Sequence, residues 1–153
     1  MKHFTLYFSI AIIALTTACS QEKKLPIYGE REAKITKDAA GVERIDTVYK
    51  TIHDFKFFNQ DSVEITQDYF KDKIYVADFF FTSCSTICPV MHRNMKMLFD
   101  LYKDDKNVAF LSHTIDFKYD TPSKLKQYAQ KLGADVPQWQ FVWGNKDEIY
   151  HIA

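Results

Sequence analysis

Hydrophobic and polar positions alternate from about residue 55 onwards in a pattern that predicts strands and helices in turn. Residues 73–81 form an almost continuous β-branched and aromatic run, which is typical of a buried central strand, although Asp78 interrupts it. Residues 107–115 and 139–143 predict two further strands, and residues 55–65 predict a short hairpin around a turn-rich centre. The pattern therefore predicts a sheet with a mostly apolar centre.

Three helices are predicted between and after these strands. Apolar residues recur at steps of three and four over residues 91–102, which places them on one face of a helix. Thr121 and Pro122 suit the N-cap and first position of a second helix, and Gly133 suits its end. Asn145 is the expected cap of the last helix. Alternating strands and helices imply parallel strands with right-handed crossovers, hence an α/β fold with helices flanking the sheet.

The N-terminal residues have the features of a targeting segment. Residues 4–15 form an apolar run of signal-peptide length after a short basic start. Small residues then precede Cys19, as in the cleavage site of bacterial lipoproteins, although Thr16 stands where an aliphatic residue is usual. We expect removal of residues 1–18 and acylation of Cys19, which predicts a membrane-anchored lipoprotein of the cell envelope that faces the periplasm. An ordinary secretory signal with an incidental cysteine is the alternative.

Length and composition limit the number of domains and the classes of binding partner. The 153 residues suffice for one domain, which we place at residues 48–153, after a polar, flexible tether over residues 19–47. A short strand is expected near residues 48–52. Lys and Arg together number 20 and equal the sum of Asp and Glu, so the chain lacks the basic excess that nucleic-acid binding needs.

Two cysteines carry most of the chemical information. Cys84 and Cys88 lie where the central strand gives way to the first helix, and Pro89 suits the first turn of that helix. If Cys19 carries lipid, these two are the remaining thiols, and outside the cytoplasm they meet oxidising conditions. The pair can bind a soft metal, form a disulfide, or do both. A structural disulfide or buried inert thiols are the alternatives. The positive end of the helix is expected to lower the thiol pKa.

The strand, the cysteine turn and the following helix resemble the thioredoxin-like superfamily. The three residues between the cysteines resemble the SCO/SenC copper chaperones, although that family normally has proline where this chain has Ser85. The resemblance covers about residues 28–153 and extends to a charged N-terminal arm found in Bacteroidetes-type members. The segments that carry it are residues 28–31 (YGER), 75–81 (YVADFFF), 80–91 (FFTSCSTICPVM) and 115–122 (IDFKYDTP).

The resemblance implies a thioredoxin-like sheet with flanking helices over residues 48–153. It also implies a chaperone that binds a copper ion as Cu(I) or Cu(II) through Cys84 and Cys88, with an additional thiol–disulfide reductase activity left open. The same two cysteines would form a redox-active disulfide. In the family a histidine in later strands supplies a third metal ligand, so we expect that histidine beyond Ala153 and a chain truncated at its C-terminus.

The implied role is assembly of the copper centre of cytochrome c oxidase. The implied partners are the copper subunit of that oxidase, or another cuproprotein, and the membrane through the lipid anchor. An extracytoplasmic thiol–disulfide oxidoreductase or peroxidase without a metal role, and a redox sensor, stay open as alternatives.

The histidines within this chain are weaker candidates for a metal ligand. His92 follows Cys88 by four residues and shares its helical face, but a surface position is the simpler expectation. His113 lies on a predicted strand, where we expect a packed or edge residue. His53 and His151 are expected to be incidental.

Acidic and methionine side chains near the motif also have plain structural explanations. Asp78 would be costly to bury without partners, so we expect it to tune the thiols or to form local hydrogen bonds. Asp120 is expected to cap the next helix, and the role of Asp116 is left open. Met91 and Met95 are expected in the core rather than on copper.

Overall fold

The structure is a computed structural model that describes residues 26–39 and 41–153. The predicted signal peptide and the predicted lipid site at Cys19 lie outside the described residues. The chain divides into two compact units between Lys50 and Thr51, and each unit is described by itself.

The first unit contains an antiparallel hairpin. Its strands are β1 (Arg31–Lys37) and β2 (Glu43–Tyr49). In the turn between them, the Asp38 carboxylate accepts a hydrogen bond from the Val42 N–H at 3.0 Å. Gly41 has a φ of 79°, which a glycine adopts without strain. The turn therefore fixes which residues of the two strands face each other.

This hairpin corrects the prediction of an irregular segment followed by one short strand near residues 48–52. Ile35 lies opposite Ile45, and Ala33 lies opposite Thr47. The β-branched pair Ile35–Ile45 favours strands, but the many charged residues around it obscured the alternation of apolar and polar positions. The predicted boundaries of the signal peptide, tether and domain stay predictions.

A five-stranded sheet forms the centre of the second unit. Its strands are β3 (Lys56–Asn59), β4 (Glu64–Thr66), β5 (Ile74–Phe80), β6 (Val108–Thr114) and β7 (Trp139–Trp143). They lie in the order β4–β3–β7–β6–β5. β5, β6 and β7 are parallel, and β3 pairs antiparallel with both β4 and β7. The predicted α/β class is confirmed.

Helices connect and follow the parallel strands as the sequence predicts. The Thr121 side chain accepts the Lys124 N–H at 3.4 Å at the start of the second helix, and Gly133 ends that helix with a φ of 68°. Asn145 caps the third helix. Of the helices in the described part of the chain, none has the length and apolar character to span a bilayer. The helices are α1 (Ile87–Tyr102), α2 (Pro122–Leu132), α3 (Lys146–Ile152) and the 3-10 helix Gln67–Phe70.

Two apolar clusters cover the sheet, one on each face, because successive residues of a strand point to opposite sides. Phe110 belongs to the cluster that contains Cys88 and Met95, whereas its neighbour Leu111 belongs to the other cluster. Met91 packs against the first cluster, so the predicted core positions of both methionines are confirmed. Leu125 belongs to the same cluster as Cys88, so α1 and α2 cover the same face of the sheet.

Candidate metal and thiol redox site

The two thiols lie at the C-terminal edge of the parallel strands. After β5, the chain makes a turn in which the Cys84 N–H donates to the Phe81 carbonyl at 3.1 Å. Thr86 then precedes α1, and Cys88 is the second residue of that helix. Both cysteines are free thiols. The carboxyl edge of parallel strands is where α/β proteins commonly place their sites, and the sequence prediction of a strand–turn–helix junction is confirmed.

The two thiols differ in exposure and in acidity. Hydrogen bonds from the Cys88 thiol, the Cys88 backbone N–H and Thr86 lower the pKa of the partly exposed Cys84 to about 6. Burial raises the pKa of Cys88, and its hydrogen bond to Cys84 raises it further. We expected the helix end to favour thiolate at both positions, but the structure favours it at Cys84 alone. The reason is that Cys88 is 3% exposed and loses the solvation that a thiolate needs.

A buried polar chain lies behind the thiols. The Asp78 carboxylate accepts the Ser112 hydroxyl at 2.5 Å and lies 2.9 Å from Nε2 of His92. Nδ1 of His92 lies 2.7 Å from the Tyr128 hydroxyl. Since a carboxylate can only accept, Nε2 of His92 carries the proton. Asp78 therefore forms hydrogen bonds that offset the cost of its burial, as one sequence hypothesis proposed. Its charge also contributes to raising the pKa of Cys88, as the other hypothesis proposed.

His92 does not occupy the expected surface position. Its side chain is 1% exposed, because α1 turns this face towards the sheet and Asp78 offers a partner there. Burial and the nearby charges of Cys88 and Asp78 raise the pKa of Tyr128 to about 12, so this hydroxyl is protonated at neutral pH. Both nitrogens of His92 are engaged, which makes it a supporting residue of the site.

His113 is a packed residue, as predicted. It is 2% exposed and its ring stacks on Phe79, with Phe55 and Phe57 at its edges. Its Nε2 has no hydrogen-bond partner, and burial lowers its pKa to about 4. These aromatic neighbours belong to the cluster on the face of the sheet opposite Cys88, so His113 does not approach the thiols.

The other two histidines lie together, away from the cysteines. The rings of His53 and His151 stack with their centroids 4.3 Å apart. Among the described residues, no group of three or more His, Cys, Asp or Glu side chains is arranged to hold a metal ion. Cys84 and Cys88 are therefore the two soft donors that this part of the chain brings together.

The acidic residues of the β6–α2 loop correct one prediction. Thr121, not Asp120, caps α2, because the Asp120 side chain is turned inward and is 1% exposed. It accepts hydrogen bonds from Thr82 and Thr114. Asp116, left open by the sequence, accepts the Tyr119 N–H at 3.3 Å and so shapes a local turn.

Sequence reasoning missed Ser112 and Tyr128 as partners of the buried polar chain, and Thr82 and Thr114 as hydrogen-bond donors to Asp120. Tyr128 was assigned to the apolar stripe of α2, where an aromatic residue needs no further explanation. The sequence contained one signal for the role of Asp120. Two residues that can cap a helix, Asp120 and Thr121, stand side by side before α2, but a helix has one N-cap residue. Asp120 therefore required a separate role.

Comparison with known proteins identifies the family. The sequence model of the SCO1/SenC family matches residues 44–153. A SCO1 protein homolog of Bacillus subtilis is 32% identical over 118 residues, which make up 75% of this chain and 61% of the relative. The chain thus spans less than two thirds of the length of that relative.

Solved structures share the fold. A SCO1/SenC family lipoprotein from Bacillus anthracis is 37% identical with a TM-score of 0.60, over 64% of this chain and 60% of that protein. BsSco, described as having a disulfide switch and as a member of the Sco family of cytochrome c oxidase assembly proteins, is 33% identical with a TM-score of 0.60, over 67% and 61%. Bradyrhizobium japonicum ScoI with copper bound has a TM-score of 0.60 over 67% and 64%, and its 22% identity shows the fold alone. The match of the family model and these likenesses show that this chain, with its thioredoxin-like sheet, belongs to the SCO1/SenC family.

Proposed function

We propose that this protein binds copper through Cys84 and Cys88 and delivers it during assembly of the copper centre of cytochrome c oxidase. The observation that carries the proposal is the pair of free thiols at the β5–α1 junction of a SCO1/SenC chain. The copper subunit of the oxidase is the proposed recipient, and another cuproprotein is the alternative. That BsSco is described as a cytochrome c oxidase assembly protein supports this role.

The donor set suits copper as cargo. Cu(I) is soft and prefers thiolate ligands, whereas Cu(II) favours the addition of imidazole. With a pKa of about 6, Cys84 is largely thiolate at neutral pH and needs no proton loss to become a ligand. Cys88 starts as a thiol and would release its proton when copper binds. The histidine expected beyond Ala153 as a third ligand stays a prediction.

Oxidation of the same pair would control loading. Exchange with a partner disulfide would form the Cys84–Cys88 bond and leave two thiols on the partner. Neither sulfur of the bonded pair would then be available as a thiolate ligand. The redox state would therefore decide whether the protein can carry copper, and the disulfide switch described for BsSco supports this proposal.

Anaerobic titration of the full chain with Cu(I) against a chromogenic chelator tests the proposal. We expect about one copper ion per chain, because the two thiolates form a single chelating pair. The variant that combines Cys84→Ser and Cys88→Ser should lose this binding. Unchanged affinity in the double variant would contradict the proposal.

A thiol–disulfide oxidoreductase is the second candidate, and the asymmetry of the thiols favours it. A low-pKa, accessible thiolate attacks a substrate disulfide, and a second thiol resolves the mixed disulfide. Cys84 and Cys88 match these two roles in exposure and acidity. Reduction of insulin or turnover of peroxide without copper, together with no tight copper binding, would favour the oxidoreductase or the peroxidase. Failure of both assays and of copper binding would favour a redox sensor.

The proposed location is the cell envelope, where the protein would be a membrane-anchored lipoprotein facing the periplasm. Acylation of Cys19 would provide the anchor, after removal of residues 1–18, and residues 19–47 would separate it from the domain at 48–153. The Bacillus anthracis relative is described as a lipoprotein, which supports this arrangement. Metabolic labelling with a fatty acid should mark the wild-type chain and leave the Cys19→Ser variant unlabelled; labelling of both would contradict it.

A further inference from the structure

We propose that Asp120 is a positioning residue for the thiol pair: it holds the Cys84 turn through Thr82 and so keeps Cys84 beside Cys88. The inference rests on the proposed thiol and copper chemistry of this pair. Asp120 lies in the β6–α2 loop and has no role in capping α2, so its burial requires another explanation.

The carboxylate of Asp120 is buried and fully hydrogen-bonded. Oδ2 accepts the Thr82 N–H at 3.0 Å and the Thr114 hydroxyl at 2.5 Å, while Oδ1 accepts the Thr82 hydroxyl. None of the ion pairs formed by the described residues includes Asp120. Burying a carboxylate is costly unless such donors offset the lost hydration. The carboxylate is therefore tied to these two threonines.

The two threonines stand at the ends of neighbouring strands. Thr114 is the last residue of β6, where it pairs with Phe80 at the end of β5. Thr82 follows β5 and precedes Cys84 by two residues. Asp120 thus joins the loop after β6 to the loop after β5, and two of the three hydrogen bonds that its carboxylate accepts come from Thr82.

The contact with Thr82 acts on the main chain of the thiol turn. The backbone N–H of Thr82 donates one of the bonds to Asp120, so the Asp120 carboxylate fixes the main chain at the point where the chain leaves the sheet. The bond from the Cys84 N–H to the Phe81 carbonyl closes the turn immediately afterwards. Preorganisation of this kind raises the effective concentration of one thiol at the other, and with it the tendency to form a disulfide or a chelate.

The test compares Asp120→Asn and Thr82→Val with Thr114→Val as a matched control, all in the full chain. Each change weakens hydrogen bonding to the same carboxylate. Thr114→Val removes a bond that comes from β6, and with it the bond that Thr114 accepts from the Asp116 N–H, but it leaves both bonds from Thr82 to Asp120 in place. The measured quantity is the equilibrium constant for forming the Cys84–Cys88 disulfide from oxidised glutathione, which yields two reduced glutathione molecules. Thermal unfolding is recorded for every variant.

We expect the constant to fall about threefold to tenfold in Asp120→Asn and Thr82→Val, the range for loss of one hydrogen bond, and to change by less than about twofold in Thr114→Val. An equal change in the control, or wild-type constants in the first two variants despite lower stability, would overturn the proposal. If Asp120→Asn does not fold, comparing the equilibrium constants of Thr82→Val and Thr114→Val is enough to test the proposal. The measurement contains no copper, so failure of the wild-type chain to bind copper would refute the proposed function without affecting this test.

Discussion

The buried imidazole of His113 should make the stability of this fold depend on pH. The expected change in the free energy of unfolding follows from the pKa of His113 in the folded and unfolded states. Burial lowers the pKa of His113 from 6.5 to about 4 in the folded state. Below pH 6.5 the unfolded chain binds a proton that the folded chain does not bind until the pH approaches 4, so stability falls as the pH falls through this window. At 1.36 kcal/mol for each unit of pKa, the loss between pH 7 and pH 4.5 is about 2 kcal/mol.

Urea unfolding at pH 7 and pH 4.5 measures this loss, and His113→Phe isolates it. Phenylalanine suits the surrounding aromatic rings of Phe55, Phe57 and Phe79 and cannot titrate. The difference in unfolding free energy between the two pH values should therefore be smaller by about 2 kcal/mol in the variant than in the wild type. Other groups titrate in both proteins and cancel in this comparison. Equal pH dependence in the two proteins would refute the reasoning.

Three further predictions concern the site and the core. Tyr128→Phe leaves Nδ1 of His92 buried without its partner, so we expect a loss of about 1–3 kcal/mol in unfolding free energy by urea titration; an unchanged midpoint would contradict it. Cys88→Ala removes the largest cause of the low pKa of Cys84, so the pH midpoint of Cys84 alkylation should rise above its wild-type value of about 6, and an unmoved midpoint would contradict that cause. A Cβ at Gly144 would clash with the ring of the buried Phe57, so Gly144→Ala should lower the free energy of unfolding by about 1–3 kcal/mol; an unchanged melting temperature would show that the ring moves freely aside.

The features predicted correctly from the sequence are those set by residues close together in the chain. Thr121, Pro122 and Gly133 define the ends of α2 through interactions with residues a few positions away, and the structure confirms them. The position of Cys84 and Cys88 at a strand–helix junction follows from the apolar run and the helical period on either side. Such local signals survive without knowledge of the tertiary contacts.

The features that were missed depend on residues far apart in the chain. His92 is buried because Asp78, on another element, accepts its Nε2–H. Asp120 is turned inward because Thr82, 38 residues earlier, donates to it. No periodicity reports such pairings, since each residue taken alone has the composition of a helix face or a loop. The partners become apparent only when strands β5 and β6 lie side by side.

The unequal exposure of Cys84 and Cys88 gives the thiol site a single point of entry. A partner protein approaching from solvent meets the Cys84 sulfur, while Cys88 is covered by the cluster beneath α1. Any ligand exchange with a partner would then begin at Cys84 and end with Cys88. Copper transfer or disulfide exchange at this site would follow a fixed order, imposed by the packing of one helix against the sheet.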